Sequence, residues 1–341
     1  MSSQTPVWIE AGPHNAKTAL VFLHGIGGGK KGFQSSVDFF AKQGFRALAW
    51  DMPGYGDSPL DGTLSFESLA ASLEGMLDAA KLEKAVLVGH SMGGMVALQT
   101  ITRCPSRIAG LVIAASSPAF GQQDGDFQKQ FVAQRLAPLD AGQTMADVAN
   151  RLIPSMVAPL ALPPDAVLAQ YPAGLALAHA CMSAVPPSTY RASLNALVKF
   201  EQRAALPTIN VPTLCLAGEH DKTAPPEVLR RMAQKIHRNI HRHIASRRKG
   251  FKQAGRLGTV AGTQVHQGGS RRLQGRHVCC IGPEDSGFCA RWVVLGQLRD
   301  GLKQPRAQRV VQKLGAGVGH RGGEARQQFG THGTVVGGEQ L

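Results

Sequence analysis

The chain has 341 residues, 43% of them apolar and 6% aromatic, with 37 Lys+Arg against 23 Asp+Glu and a formal net charge of +14. No run of about 18 apolar residues offers a membrane span, and the start Met1-Ser2-Ser3-Gln4-Thr5-Pro6 lacks the basic and apolar regions of a secretory signal. The charge is lopsided: residues 1–236 hold 19 Lys+Arg and 18 Asp+Glu, whereas residues 237–341 hold 18 and 5, so a nearly neutral region precedes a strongly basic one.

Short apolar runs predict strands near 7–10, 19–23, 45–50, 85–89, 110–114 and 213–217. Helical periodicity falls near 33–43, 65–81, 93–103 and 225–236. This alternation predicts an α/β fold, a mostly parallel sheet with helices on both faces. The second strand runs into His24-Gly25-Ile26-Gly27-Gly28-Gly29, where glycines let the backbone come close to a ligand and aim amide hydrogens at it. A flexible loop or a phosphate cradle are the other readings of that stretch. The Gly-Lys-Ser/Thr signature of a phosphate loop is absent. The third strand runs into Asp51-Met52-Pro53-Gly54-Tyr55-Gly56-Asp57-Ser58, a Pro/Gly turn.

The fourth strand, Ala85-Val86-Leu87-Val88, leads to Gly89-His90-Ser91-Met92-Gly93 and then to a helical stretch. Gly-x-Ser-x-Gly in a strand-turn-helix setting is a nucleophile elbow. The tight turn pushes the serine into a strained conformation, and small residues two before and two after it keep neighbouring side chains from colliding. The following helix N-terminus favours developing negative charge. An oxyanion needs about two backbone donors, assigned here to the amides of Ile26 and Met92. The plain alternative is an ordinary strand-helix turn.

These three turns, in this order and spacing, resemble the α/β-hydrolase superfamily over residues 5–236, and within it the small esterases, enol-lactone hydrolases and carbon-carbon hydrolases. The resemblance implies Ser91 as nucleophile, with His24, Gly25, Gly89, His90 and Gly93 as motif positions. A serine rather than an aspartate at the elbow argues against dehalogenase and epoxide hydrolase chemistry. The triad acid follows a late strand, and Val211 to Asp221 fits, which makes Asp221 the acid and Glu219 the fallback; a helix-capping aspartate is the structural alternative. The resemblance also implies that residues 117–207 form a helical cap inserted between core parts 1–116 and 208–236. In that insertion 127–137, 144–157, 164–170 and 188–203 have helical character, prolines break it into short pieces, and Met156, Leu160, Leu162 and Met182 suggest an apolar pocket. No metal and no cofactor is expected.

A triad also needs a histidine after the last strand. Ser246-Arg247-Arg248-Lys249-Gly250, where that loop would fall, contains none. His241 and His243 lie just before it in a segment with basic residues where a core strand should be apolar, and His320, in Gly317-Val318-Gly319-His320, imitates the family loop far downstream. Neither His24 nor His90 is expected to act as the base. The tail 237–341 holds 20 of the 40 glycines, and its apolar residues show little periodicity. Three readings are open: a basic appendage that binds nucleic acid, a disordered extension, or GC-rich coding DNA read out of frame, which the nucleotide sequence across codons 230 to 250 would decide. The last is preferred. It predicts that the final strand, helix and histidine loop of the fold are missing and that the tail has no packed core. The expected partner is a small-molecule acyl substrate; membrane binding is not expected, and nucleic acid only nonspecifically through the tail. Cys104, Cys181 and Cys215 read as separate thiols of a reducing, cytoplasmic compartment.

Overall fold

The structure is a computed structural model, and it describes residues 5–121, 125–156 and 173–236 together with the backbone of 239–245. Seven strands form one sheet: β1 (Trp8–Ala11), β2 (Thr18–Leu23), β3 (Ala47–Trp50), β4 (Lys84–His90), β5 (Ile108–Ala114), β6 (Thr213–Gly218) and β7 (Asn239–Ala245), in spatial order β1-β3-β2-β4-β5-β6-β7. Only β1, on β3, runs antiparallel; the other pairs are parallel. β4 is therefore the central strand, and the carboxyl ends of β2, β3, β4, β5, β6 and β7 share one edge. In open sheets of this kind that edge carries the ligand site.

The strands are apolar on both sides because both faces are covered. Ala85 and Leu87 of β4 join the large cluster built with α2 (Phe66–Ala79), α3 (Met92–Arg103) and α8 (Pro226–Lys235), while Val86 and Val88 join the cluster around Phe33, Val37 and Phe40, the last two on α1 (Gln34–Lys42). Ser65 and Ser68 cap α2 reciprocally, which fixes where that helix begins.

Between β5 and β6 lie α4 (Asp126–Asp140), α5 (Met145–Ser155), α6 (Ala173–Ser183) and α7 (Pro187–Leu197). Three match the expected helical segments. The fourth, α6, was not expected, and the segment 164–170 lies outside the described residues. Pro154, expected to break the insertion, sits inside the last turn of α5, and Pro138 sits likewise inside the last turn of α4.

One expectation about the tail is corrected. Asn239–Ala245 is a strand, paired in parallel with β6 so that Leu214 faces His241, Cys215 faces Arg242 and Leu216 faces His243. The boundary at 236 was set by side-chain composition, but strand pairing uses main-chain hydrogen bonds that basic residues also supply. Residues 246–341 lie outside the described residues.

Candidate active site

Ser91 follows the last residue of β4 and precedes the first of α3, with φ 52° and ψ −120°. A non-glycine residue there is strained and persists only where its surroundings fix it. Four hydrogen bonds do so. Its N–H donates to the Ala114 carbonyl (2.9 Å), and its carbonyl accepts from Gly94 N (2.9 Å), Met95 N (3.4 Å) and the buried Ser116 hydroxyl (2.7 Å). The flanking glycines are required by contact. A methyl group on Gly93 would lie 2.1 Å from the Leu23 carbonyl oxygen, and one on Gly89 would lie 2.4 Å from the Gly93 carbonyl oxygen.

The loop after β2 comes against this turn. A methyl group on Gly25 would lie 2.8 Å from Ser91 Cβ and 3.2 Å from Ser91 Oγ, so no larger residue fits. Gly28 N–H closes the loop onto the Gly25 carbonyl at 3.0 Å. Ile26, half-buried against the core, is the next residue after Gly25, and buried Met92 opens α3; both candidate oxyanion amides therefore belong to residues adjoining the Ser91 contact.

His24 is buried and spoken for. Met52 N–H can only donate, so at 2.9 Å it claims the Nε2 lone pair; the ring proton then sits on Nδ1 and donates to the Gly25 carbonyl at 2.8 Å. Burial pushes its pKa down to about 4, and it stays a neutral strut between the two turns. His90, which ends β4, has part of its surface open to solvent, yet the crowding of the strand ends lowers its pKa by desolvation; the Asp221 carboxylate acts in the opposite direction.

Asp221 lies three residues beyond Gly218, the end of β6, on the same edge as Ser91. It is half-buried, and its Oδ1 accepts the amides of Thr223 (2.8 Å) and Ala224 (2.9 Å). It does not cap α8, whose cap is Pro225. Glu219 is exposed. His241 and His243 stand within β7, whereas the family places its histidine in the loop after that strand, and His320 lies outside the described residues. The insertion reaches the site through Met182, 3% exposed: a methyl group on Gly27 would lie 2.5 Å from its terminal carbon. Met156, by contrast, is 58% exposed, and Leu160 and Leu162 lie outside the described residues.

Sequence reasoning missed a buried ion-pair knot beneath this edge. Lys30 Nζ meets Asp51 Oδ2 at 2.5 Å and Asp57 Oδ2 at 2.7 Å, and Lys30 N–H donates to Asp51 Oδ1 at 2.7 Å. Burial pulls the Lys30 pKa down, but the two carboxylates outweigh it and hold the ammonium above its ordinary value. The signal was present as a lysine following a glycine loop and two aspartates in the next turn.

A sequence model of the alpha/beta hydrolase fold family matches residues 18–258. The AB hydrolase superfamily protein YisY of Bacillus subtilis (strain 168) is 28% identical over 215 residues, 60% of this chain and 75% of that protein. The pimeloyl-(acyl-carrier protein) methyl ester esterase of Pectobacterium carotovorum subsp. carotovorum (strain PC1) is 38% identical over 121 residues, 36% of this chain and 45% of that protein. The crystal structure of the enol-lactonase from Burkholderia xenovorans LB400 superposes with a TM-score of 0.60 at 22% identity, covering 68% of this chain and 85% of that one. With the family model matching over most of its length, the chain belongs to the α/β-hydrolase fold family of hydrolytic enzymes.

Proposed function

We propose that the chain is a serine hydrolase that cleaves a small carboxylic ester, lactone or related carbonyl substrate through an acyl-enzyme on Ser91. The single observation that carries this reading is the strained Ser91 conformation, braced by four hydrogen bonds with glycine on both sides. Such strain has no packing purpose of its own and fits a side chain held out for attack. Ser91 Oγ attacks the carbonyl carbon as its proton passes to a base, and the amides of Ile26 and Met92 hold the oxyanion. Collapse expels the leaving group with that proton; water, deprotonated by the same base, then frees the acid and restores Ser91.

Asp221 is the acid that orients the base. Its Oδ1 is occupied by two backbone amides, which fixes the carboxylate's direction. The base is a histidine from the chain beyond α8, with His243 and His320 as the candidates. The inserted helices act as a cap, and Met182 beside Gly27 favours an apolar acyl group. Neither a metal nor a cofactor takes part in this scheme. The three free cysteines among the described residues, two of them buried, fit a cytoplasmic setting.

A second reading has its own observation in support: residues 246–258, the end of the family match, contain no histidine. It is a hydrolase-like scaffold that binds its ligand without turnover. Hydrolysis of a p-nitrophenyl ester series separates the two. The hydrolase reading expects turnover that Ser91→Ala lowers by about 10⁴-fold or more. Rates equal to those of Ser91→Ala throughout the series would sink it.

A further inference from the structure

We propose that Tyr55 is a positioning residue that couples the inserted helix α7 to the oxyanion loop. The inference rests on the reading of Ser91 and Ile26 given above. Tyr55 is 1% exposed, and its hydroxyl meets Ser193 Oγ on α7 at 2.9 Å. Gly25 directly precedes Ile26, the proposed oxyanion donor, and the buried His24 ring that donates to the Gly25 carbonyl stands against Tyr55.

The surrounding contacts make this one connected unit. Thr189, also on α7, donates its hydroxyl to the Gly54 carbonyl at 3.0 Å, and a methyl group on Gly54 would lie 3.0 Å from the Thr189 side chain. The Tyr55 ring stands edge-on to His24, with centroids 4.9 Å apart, and His24 ties the loop after β2 to Met52. On the other side of the loop Met182 of α6 lies against Gly27, whose φ of +81° only glycine adopts without strain. The insertion therefore touches the loop at Gly27 and the turn at Gly54 and Tyr55.

The physical consequence follows from burial. A hydroxyl without solvent access keeps its partners because losing them leaves a desolvated polar group behind. A shift of α7 must then either break the Ser193 bond or carry Tyr55 with it, and Tyr55 packs against the His24 that holds the Gly25 carbonyl. A displacement of α7 is thereby sensed in the oxyanion loop, and substrate fit is expressed in the rate rather than in binding.

Two variants of the full chain test this. Tyr55→Phe removes the bond to Ser193 and keeps the ring against His24, while Ser193→Ala removes the same bond from the α7 side. In both, amide hydrogen exchange of the peptide spanning residues 24–30 should quicken about five- to tenfold, and kcat on the p-nitrophenyl ester should fall by about the same factor with KM within about twofold. The coupling is overturned if Ser193→Ala leaves exchange at 24–30 unchanged, or if the variants alter only KM or melting temperature. Absence of turnover in the unmodified chain would count against Ser91, whereas the exchange measurement would still decide the role of Tyr55.

Discussion

The conformation of Ser91 is held by atoms that leave no room for a β-carbon beside it. A methyl group on Gly93 meets the backbone of Leu23, which cannot rotate away as a flexible side chain could. Gly93→Ala should therefore cost about 3 kcal/mol or more in urea denaturation. Gly75, in α2 with nothing within 4 Å of its added carbon, is the converse case. Gly75→Ala should raise stability by about 0.5–1 kcal/mol, because alanine loses less backbone entropy in a helix. Equal effects at the two positions would contradict the contact argument. His24 gives a pH prediction. Its folded pKa of about 4 lies below the ordinary 6.5, so between those values the unfolded chain binds a proton that the native chain does not. Stability should thus fall as pH drops through that window, by about 3 kcal/mol in all, and level off below it. His24→Gln should lack that part of the slope. The strained turn at Ser91 and the close glycine loop beside it were legible in the sequence because both are local patterns. The Tyr55–Ser193 bond was not, since 138 residues separate its partners.

Elements differ in how plainly their sequences announce them. The core strands near 19–23, 85–89 and 110–114 are continuous apolar runs and were read nearly to the residue. Helix α6, Ala-Gly-Leu-Ala-Leu-Ala-His-Ala-Cys-Met-Ser, is good helix-forming material, but apolar residues fill nearly every position and leave no stripe to detect. Strand β7 was missed for the opposite reason, since its polar residues hid a pairing made by the main chain. The joint between the loop after β2 and the turn after β3 yields a prediction at this scale. The Lys30 side chain is 11% exposed and that of Asp51 4%, whereas that of Asp57 is 79% exposed. Asp51→Asn should cost about 3 kcal/mol, because it removes the ammonium's buried partner, and Asp57→Asn less, because water screens that pair. Chemical denaturation of the two variants checks the order; a larger loss for Asp57→Asn would contradict it.

Over the whole molecule the positive charge is concentrated in residues 237–341. Residues 1–236 carry nearly balanced charge, the described ones among them supply six strands of the sheet and its helices, and the family match continues into the basic region as far as 258. Composition registered that change of character, yet it could not show that the sheet crosses it, because pairing of β7 with β6 depends on backbone geometry. A net excess of 13 positive charges in residues 237–341 should give weak binding to DNA at low salt that falls steeply as salt rises, with no preference for sequence. Retention at high salt, or a sequence preference, would instead mark a specific nucleic-acid surface. Among the described residues no helix is long and apolar enough to cross a membrane.

Ser91 is proposed as an activated nucleophile, and reaction with a fluorophosphonate followed by peptide mass spectrometry tests this most directly. The account predicts one covalent adduct, on the peptide containing Ser91, that is absent in Ser91→Ala. A chain that remains unlabelled, or that carries the adduct on another serine while Ser91 stays free, would contradict it.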